Sequence, residues 1–191
     1  YHGHEEFEYA NISEHSRNFL GTGGEAERSA YYYRDQRAVG HGTFVTSQIA
    51  AMTDNEKGMA GIADHVELMM LRCLSYPGST EFPYDNRYDA NGGSVALVAS
   101  AIRYAADNGA DVINISLGTK SGTNISTLQD AINYASDKGV IIVAAAGNDG
   151  TAALFYPAAC EHVIGVGSVS QSGDSLIRSS FSQYNVSVSV T

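Results

Sequence analysis

A histidine and an asparagine, each next to glycine, are the residues of this sequence best placed to do chemistry. His41 stands between Gly40 and Gly42 at the start of a segment with helical spacing. Its ring can therefore reach a cleft with little steric obstruction. A neutral imidazole in such a position can act as a general base. Because a helix N-terminus disfavours added positive charge, a carboxylate partner would be needed to stabilise the imidazolium.

Asn148 follows Gly147 at the end of an apolar run. Its side-chain amide can donate a hydrogen bond to a developing oxyanion, and loss of such a donor typically lowers turnover by about 10²–10³. An asparagine in a turn after a strand is also common. The interpretation of Asn148 therefore depends on the elements that position it and His41.

These elements alternate between helix and strand patterns after a polar, irregular first part that ends near residue 39. Glycines at 109 and 139 predict two helix ends, and Ser126 with Gln129 fits a capping box at the start of the second of these helices. Such alternation indicates an α/β fold with a three-layer, doubly wound, mostly parallel sheet. The predicted elements are a short strand at 31–33, a helix from about 43 to 52, a buried strand over 66–73, a helix over 94–108, a buried strand over 110–117, a helix from 126 to 139, and strands over 140–146 and 162–169.

Two segments lie at the carboxyl ends of predicted strands, Ser116–Gly118 and Gly147–Asn148. In a parallel sheet the active crevice lies at the carboxyl ends of the strands, so both segments belong to its edge. Asn114 and Ser116 share one face of their strand because side chains alternate with period two.

Composition sets the class of molecule. The chain has 191 residues, 43% of them hydrophobic and 17% charged, which is typical of a globular domain and not of disorder. A net charge of −10 argues against nucleic acid as a partner. No apolar run reaches the length of a membrane span. The two cysteines, Cys73 and Cys160, are predicted to be free and mostly buried.

Four blocks of the sequence resemble, in the same order, motifs of the subtilisin-like serine proteases. The segment 40–50 resembles their histidine motif, and 111–118 their substrate-binding strand. The segment 140–150 resembles the strand that delivers the oxyanion asparagine, and 156–182 the stretch beyond it. In the lead-in, His4 to Glu8 resembles the sequence that follows the catalytic aspartate motif in this family. Tyr31 to Asp35 looks like the proteinase K branch in particular.

The resemblance assigns roles to individual residues. His41 would be the base of an Asp-His-Ser triad and Asn148 the oxyanion donor. A peptide would then be bound as an added strand between two segments of backbone. Phe155 stands near the pocket floor, where relatives carry a small residue, and is expected to shorten the pocket. The remaining substrate-binding residues would be Gly92, Gly93, Ser116, Leu117, Gly118, Ala145, Ala146 and Gly147.

Two motifs of the family are not found in the sequence. It contains no Asp-Ser-Gly or Asp-Thr-Gly near its start and no Gly-Thr-Ser-Met-Ala segment. We therefore expect residues 1–191 to be a single partial peptidase domain, the central part of a subtilisin-like domain truncated at both ends. By itself this polypeptide is expected to lack triad-dependent activity. The alternative function is a catalytically inactive, peptide-binding relative; a nucleotide-binding domain is disfavoured because no Gly-x-Gly-x-x-Gly turn follows a strand.

The loop over residues 53–58 matches the loop that helps to hold a structural calcium in many relatives. Asp54 and Asn55 could supply oxygen ligands, but a solvated turn explains the loop equally well. Metal binding by His2 and His4 is only weakly indicated, and no organic cofactor is expected. By resemblance the partners are a polypeptide substrate and a propeptide, and the protein is expected to be secreted and monomeric, with no nucleic acid or membrane partner.

Overall fold

The computed structural model describes residues 11–19, 41–63, 65–74, 95–120 and 125–191. By their internal contacts the residues group into two compact units, 1–97 and 98–191. The predicted strand at 31–33 and the residues Gly92 and Gly93 lie outside the described residues.

In the first unit, two short parallel strand pairs replace the single buried strand expected over 66–73. Strands β1 (Asn11–Ile12) and β3 (Glu67–Leu68) form one pair, and β2 (Arg17–Asn18) and β4 (Leu71–Arg72) form the other. Between them the Ser16 hydroxyl, rather than a main-chain carbonyl, accepts the hydrogen bond of the Met70 N–H at 3.0 Å, which interrupts the ladder. Only Cys73 of the run 66–73 is buried, so the prediction of one buried strand is wrong.

The first helix within the described residues, α1 (His41–Ala50), confirms the helix predicted after the histidine motif. His41 is its first residue, as the flanking glycines indicated. On the inner side Ser47 is buried, and its hydroxyl donates to the Phe44 carbonyl oxygen at 2.8 Å.

The second unit contains a four-stranded parallel sheet of order β10-β7-β6-β5. Adjacent parallel strands require crossovers, and a helix of thirteen residues supplies the one between β5 and β6. The predicted parallel sheet is therefore confirmed. Its strands are β5 (Val112–Ile115), β6 (Ile141–Ala145), β7 (Val163–Val166) and β10 (Val188–Val190), and an antiparallel hairpin is formed by β8 (Val169–Ser172) and β9 (Ser175–Arg178).

Two longer helices, α2 (Val95–Asp107) and α3 (Ile125–Asp137), each bury one apolar face, and α3 packs against β6. Both helices end before a glycine with positive φ, 82° at Gly109 and 87° at Gly139. An added Cβ would meet nothing within 4 Å at either glycine, so the backbone conformation, and not packing, requires them. The buried apolar positions are Val98, Ala99, Ala101, Ile102, Ala105 and Ala106 on α2 and Leu128, Ala131, Ile132 and Ala135 on α3.

The predicted capping box at Ser126 and Gln129 is wrong. Helix α3 begins at Ile125, so Ser126 lies inside it. Gln129 instead donates to the Asn133 side chain at 2.8 Å and accepts the Glu161 N–H at 2.9 Å. This bond gives the Glu161 N–H an acceptor and ties the segment that leads into β7 to helix α3.

The strand expected over 110–117 is shorter and less buried than its apolar sequence indicates. Val112 is 57% exposed, and only Ile115 of β5 is buried. Among the described strands β5 is the last in the sheet order, with β6 as its one neighbour. Side chains on an outermost strand have neighbouring strand residues on one side only, so they are more exposed than those on an inner strand.

Candidate active site

The carboxyl ends of β5 and β6 lie side by side in the second unit. The two strands pair in parallel, with Ile115 opposite Ala144, so residues 116–118 and 146–148 leave the sheet at the same edge. Asn114 Nδ2 donates to Ser116 Oγ at 3.0 Å, as expected for side chains on one face of the strand. The prediction that these segments meet at one sheet edge is confirmed.

The segment after β5 is fastened to the segment that carries Phe155. Thr119 and Tyr156 exchange both main-chain hydrogen bonds, each 2.8 Å long, as an isolated antiparallel bridge. This bridge places Phe155 beside residues 116–118, although the two segments are far apart in the sequence.

The Phe155 ring lies against two glycines, one from each of these strand ends. A Cβ added to Gly118 would be 2.5 Å from Phe155 Cε1, and one added to Gly147 would be 2.9 Å from Phe155 Cγ. Neither glycine tolerates a side chain, and Gly147 also has a φ of 106°. The ring therefore occupies the space between the two segments that the sequence assigns to the substrate pocket.

The other predicted residues of this pocket follow the strand geometry. Ala145 is the last residue of β6 and is half-buried, whereas Ala146 is buried and donates its N–H to the Val166 carbonyl at 2.9 Å. Leu117 is half-buried beside Gly118. Asn148 is exposed, so its amide is available to a bound molecule.

An ion pair crosses the rim beside Asn148. Lys120 Nζ lies 3.0 Å from Asp149 Oδ1, with side chains 66% and 35% exposed. An exposed pair of this kind contributes little to stability, about 0–1 kcal/mol. The pair places the Lys120 ammonium beside the carboxylate that directly follows Asn148.

Sequence reasoning missed one buried polar residue of this site, Gln183. It is 1% exposed, and its hydrogen bonds go to the segment that follows Asn148. A single glutamine within a serine-rich stretch carries no spacing or motif that would single it out.

His41 and the proposed calcium ligands belong to the first unit, and Asn148 belongs to the second. His41 is exposed at the start of α1.

The described residues of the loop at Asp54 and Asn55 do not by themselves form a calcium site. Asp54 is exposed with a φ of 57°, and Asn55 Oδ1 already accepts the Lys57 N–H at 3.1 Å. Calcium takes six to eight oxygen ligands. Within the described part of the chain no group of three or more His, Cys, Asp or Glu residues could hold a metal ion. Other oxygens would have to complete the calcium ligand set.

Both cysteines are free and buried, as predicted. Burial raises the pKa of the Cys73 thiol to about 12 and that of the Cys160 thiol to about 11. A thiol with such a pKa is protonated at neutral pH and is a poor nucleophile. The cysteines therefore take no part in the candidate site.

Known proteins are similar to this chain over most of its length. Curated relatives include a thermophilic serine proteinase of Bacillus sp. (strain AK1), 44% identical over 78% of this chain and 33% of its own length. Thermitase of Thermoactinomyces vulgaris is 41% identical over 81% of this chain and 49% of its own length. Subtilisin Savinase of Lederbergia lenta is 36% identical over 79% and 49%. The chain thus matches a third to a half of the length of these relatives.

Solved structures share the fold. The S41 psychrophilic protease superposes with a TM-score of 0.69 at 26% identity, covering 91% of this chain and 52% of its own. A protease from Pseudoalteromonas arctica gives 0.62 at 34% identity, covering 75% and 40%. Among the described residues there is no helix long and apolar enough to cross a membrane. The model of the subtilase family matches residues 7–191, and the chain therefore belongs to the subtilase family.

Proposed function

We propose that this chain is the part of a serine endopeptidase that supplies the general base and the oxyanion donor. The observation that carries the proposal is the geometry at the ends of β5 and β6. There an exposed Asn148 directly follows Gly147, which together with Gly118 packs against the Phe155 ring. The neighbouring end of β5 offers backbone that can pair with a peptide. Family membership supports the same reaction.

In this mechanism His41 accepts the proton of a serine hydroxyl as it attacks the peptide carbonyl carbon. The histidine then gives that proton to the leaving amine. The carbonyl oxygen becomes negative as the tetrahedral intermediate forms, and the Asn148 amide donates a hydrogen bond to it. By family resemblance the serine and the aspartate that orients His41 come from the Gly-Thr-Ser-Met-Ala and Asp-Thr-Gly motifs, which are not found among these 191 residues.

Substrate selection is proposed to depend on Phe155. Its ring fills the space between Gly118 and Gly147, which leaves little depth for the side chain before the cut bond. A shallow pocket favours small side chains, because a large one would have to displace the ring.

The test uses a protein that carries these residues together with the aspartate and serine motifs. A fluorophosphonate probe should label it, and Asn148→Ala should lower kcat about 10²–10³-fold while leaving KM little changed. His41→Ala should abolish labelling. Lys120→Ala, at the exposed rim, is the matched control and should still be labelled.

The second candidate is a catalytically inactive, peptide-binding relative. The presence of both His41 and Asn148 argues against it, since binding a peptide requires neither. Peptide binding without probe labelling, in a protein that has a serine in the nucleophile motif, would support this second candidate and contradict the first.

We also propose, from the family, that the protein is secreted, monomeric and made with a propeptide, and that it acts on polypeptides. Size-exclusion chromatography and N-terminal sequencing of the mature product test these proposals. A nearest relationship to the proteinase K branch stays a prediction.

A further inference from the structure

We infer that Gln183 is a positioning residue that holds Asn148 in place for oxyanion binding. The inference rests on the proposed function, because it assigns a partner to that reaction's oxyanion donor. It is drawn from the hydrogen bonds on either side of Asn148.

Gln183 bonds to the backbone on both sides of Asn148. Its main-chain N–H donates to the Gly147 carbonyl at 3.2 Å, and its side-chain Oε1 accepts the Asp149 N–H at 3.0 Å. One residue thus restrains the peptide groups before and after Asn148. Fixing these two peptide groups fixes the direction in which the exposed Asn148 side chain leaves the main chain.

The same side chain continues along the loop. Oε1 also accepts the Thr151 N–H at 3.3 Å, and Nε2 donates to Thr151 Oγ1 at 3.4 Å and to the Ala153 carbonyl at 3.3 Å. All four hydrogen-bonding positions of a glutamine amide are used. Two N–H donors face one end and a carbonyl faces the other, so the amide has a single satisfactory orientation.

Packing adds to these bonds. Gln183 is 1% exposed, and its Cγ would be 2.9 Å from a Cβ added to Gly147. A buried amide with every bond made is rigid, and its removal would leave the partly buried N–H groups of Asp149 and Thr151 without this acceptor. The residue therefore has little freedom to let Asn148 drift.

Positioning has a measurable cost in catalysis, since a shift of about 1 Å in a reacting group can reduce the rate 10²-fold. We expect Gln183→Met, which keeps the length of the side chain and removes its polar atoms, to lower kcat about 10- to 100-fold. KM should change much less, because the pocket walls keep their glycines. Gln183→Glu retains an acceptor for the Asp149 and Thr151 N–H groups and should recover part of the loss.

Asn185→Ala is the matched control. Asn185 Nδ2 donates to the Ala153 carbonyl at 2.7 Å, the same carbonyl that Gln183 contacts. This change removes a hydrogen bond from the loop without touching Asp149 or Thr151. Its kcat should stay close to that of the unchanged protein, because the N–H groups of Asp149 and Thr151 keep the Gln183 acceptor.

The decisive experiment is a double-mutant cycle with Asn148→Ala in a protein that carries the full set of motifs. If Gln183 acts through Asn148, Gln183→Met should cost almost nothing in kcat once Asn148 is alanine. An equal loss in both backgrounds would overturn the inference and leave the proposed function intact. A protein that hydrolyses no peptide and takes no probe would contradict the proposed function instead.

Amide hydrogen exchange tests the inference without activity. In Gln183→Met the N–H groups of Asp149 and Thr151 should exchange faster, whereas Gln183→Glu and Asn185→Ala should leave them protected. Unchanged exchange in Gln183→Met would contradict the inference. If Gln183→Met does not fold, Gln183→Ser removes the same contacts with a smaller polar side chain and is measured in its place.

Discussion

Phe155 is a described side chain whose replacement should change the proposed cleavage specificity. With Phe155→Ala, the space against Gly118 and Gly147 becomes free. We expect kcat/KM for a peptide with phenylalanine before the cut bond to rise about 10- to 100-fold relative to one with alanine, as discrimination by pocket volume allows.

The control for this prediction is Leu154→Ala, which alters an exposed neighbour and should leave the ratio unchanged. A protein that already cuts best after phenylalanine or tyrosine would contradict the role given to Phe155.

The two cysteines give a residue-scale prediction that does not depend on activity. Because burial raises the pKa of Cys73 to about 12 and of Cys160 to about 11, both thiols should resist a thiol reagent at pH 8. Both should react fully in denaturant. Rapid reaction of either thiol in the folded protein would show that the thiol is accessible to solvent and would contradict this prediction.

At the scale of elements, the contact of α3 with β6 is the part of the core that can be tested most directly. Ile132 is 0% exposed, and Ile132→Ala should lower the free energy of unfolding by about 2–5 kcal/mol. Ile177→Ala makes the same chemical change on the hairpin strand β9, where the side chain is 52% exposed. It should cost less than about 1 kcal/mol. Equal losses by urea denaturation would contradict the assignment of these faces.

A surface cluster joins the ends of α2 and α3 and should respond to pH. Lys138 and the Tyr134 hydroxyl both donate to Asp107, and these hydrogen bonds, that of Lys138 foremost, hold the pKa of the Asp107 carboxyl below its ordinary value. A carboxyl group whose pKa is lower in the folded than in the unfolded protein stabilises the fold at pH values above its ordinary pKa. This stabilisation is lost as the pH falls through the lowered pKa. The melting temperatures of the unchanged protein and Asp107→Asn should therefore differ at pH 7 and converge in acid. A constant difference would contradict this.

The sequence predicted helices and parallel strands well, and their ends less well. Periodic apolar residues and glycines predicted α2 and α3, because a buried helix face and a left-handed helix end each have a local sequence pattern. The two-part pairing opposite 66–73 was missed because it depends on a distant serine hydroxyl. Gln129 was misread and Gln183 was passed over for the same reason, because both bond to segments 30 or more residues away.

At the scale of the whole molecule, order along the chain was the informative signal. The motifs around His41 and Asn148 lie in different compact units, and no local pattern links them. Only the succession of motifs, known from other proteins, indicated that they serve one site. A single partial domain over residues 1–191 stays a prediction, and one cooperative unfolding transition in calorimetry would support it.

Calcium provides the last prediction. A net charge of −10 favours cation binding in general, and Asp54 with Asn55 supplies part of an oxygen ligand set. We propose that EDTA lowers the melting temperature and that calcium restores it, because an ion at 100 times its Kd stabilises a fold by about 2.7 kcal/mol. Asp54→Asn keeps a residue that tolerates the left-handed backbone and removes the charge, so it should abolish the response to EDTA. Glu56→Gln, a neighbouring exposed carboxylate with the same φ of 57°, should retain the response. A melting temperature that EDTA leaves unchanged would eliminate the calcium site and establish the loop as a solvated turn.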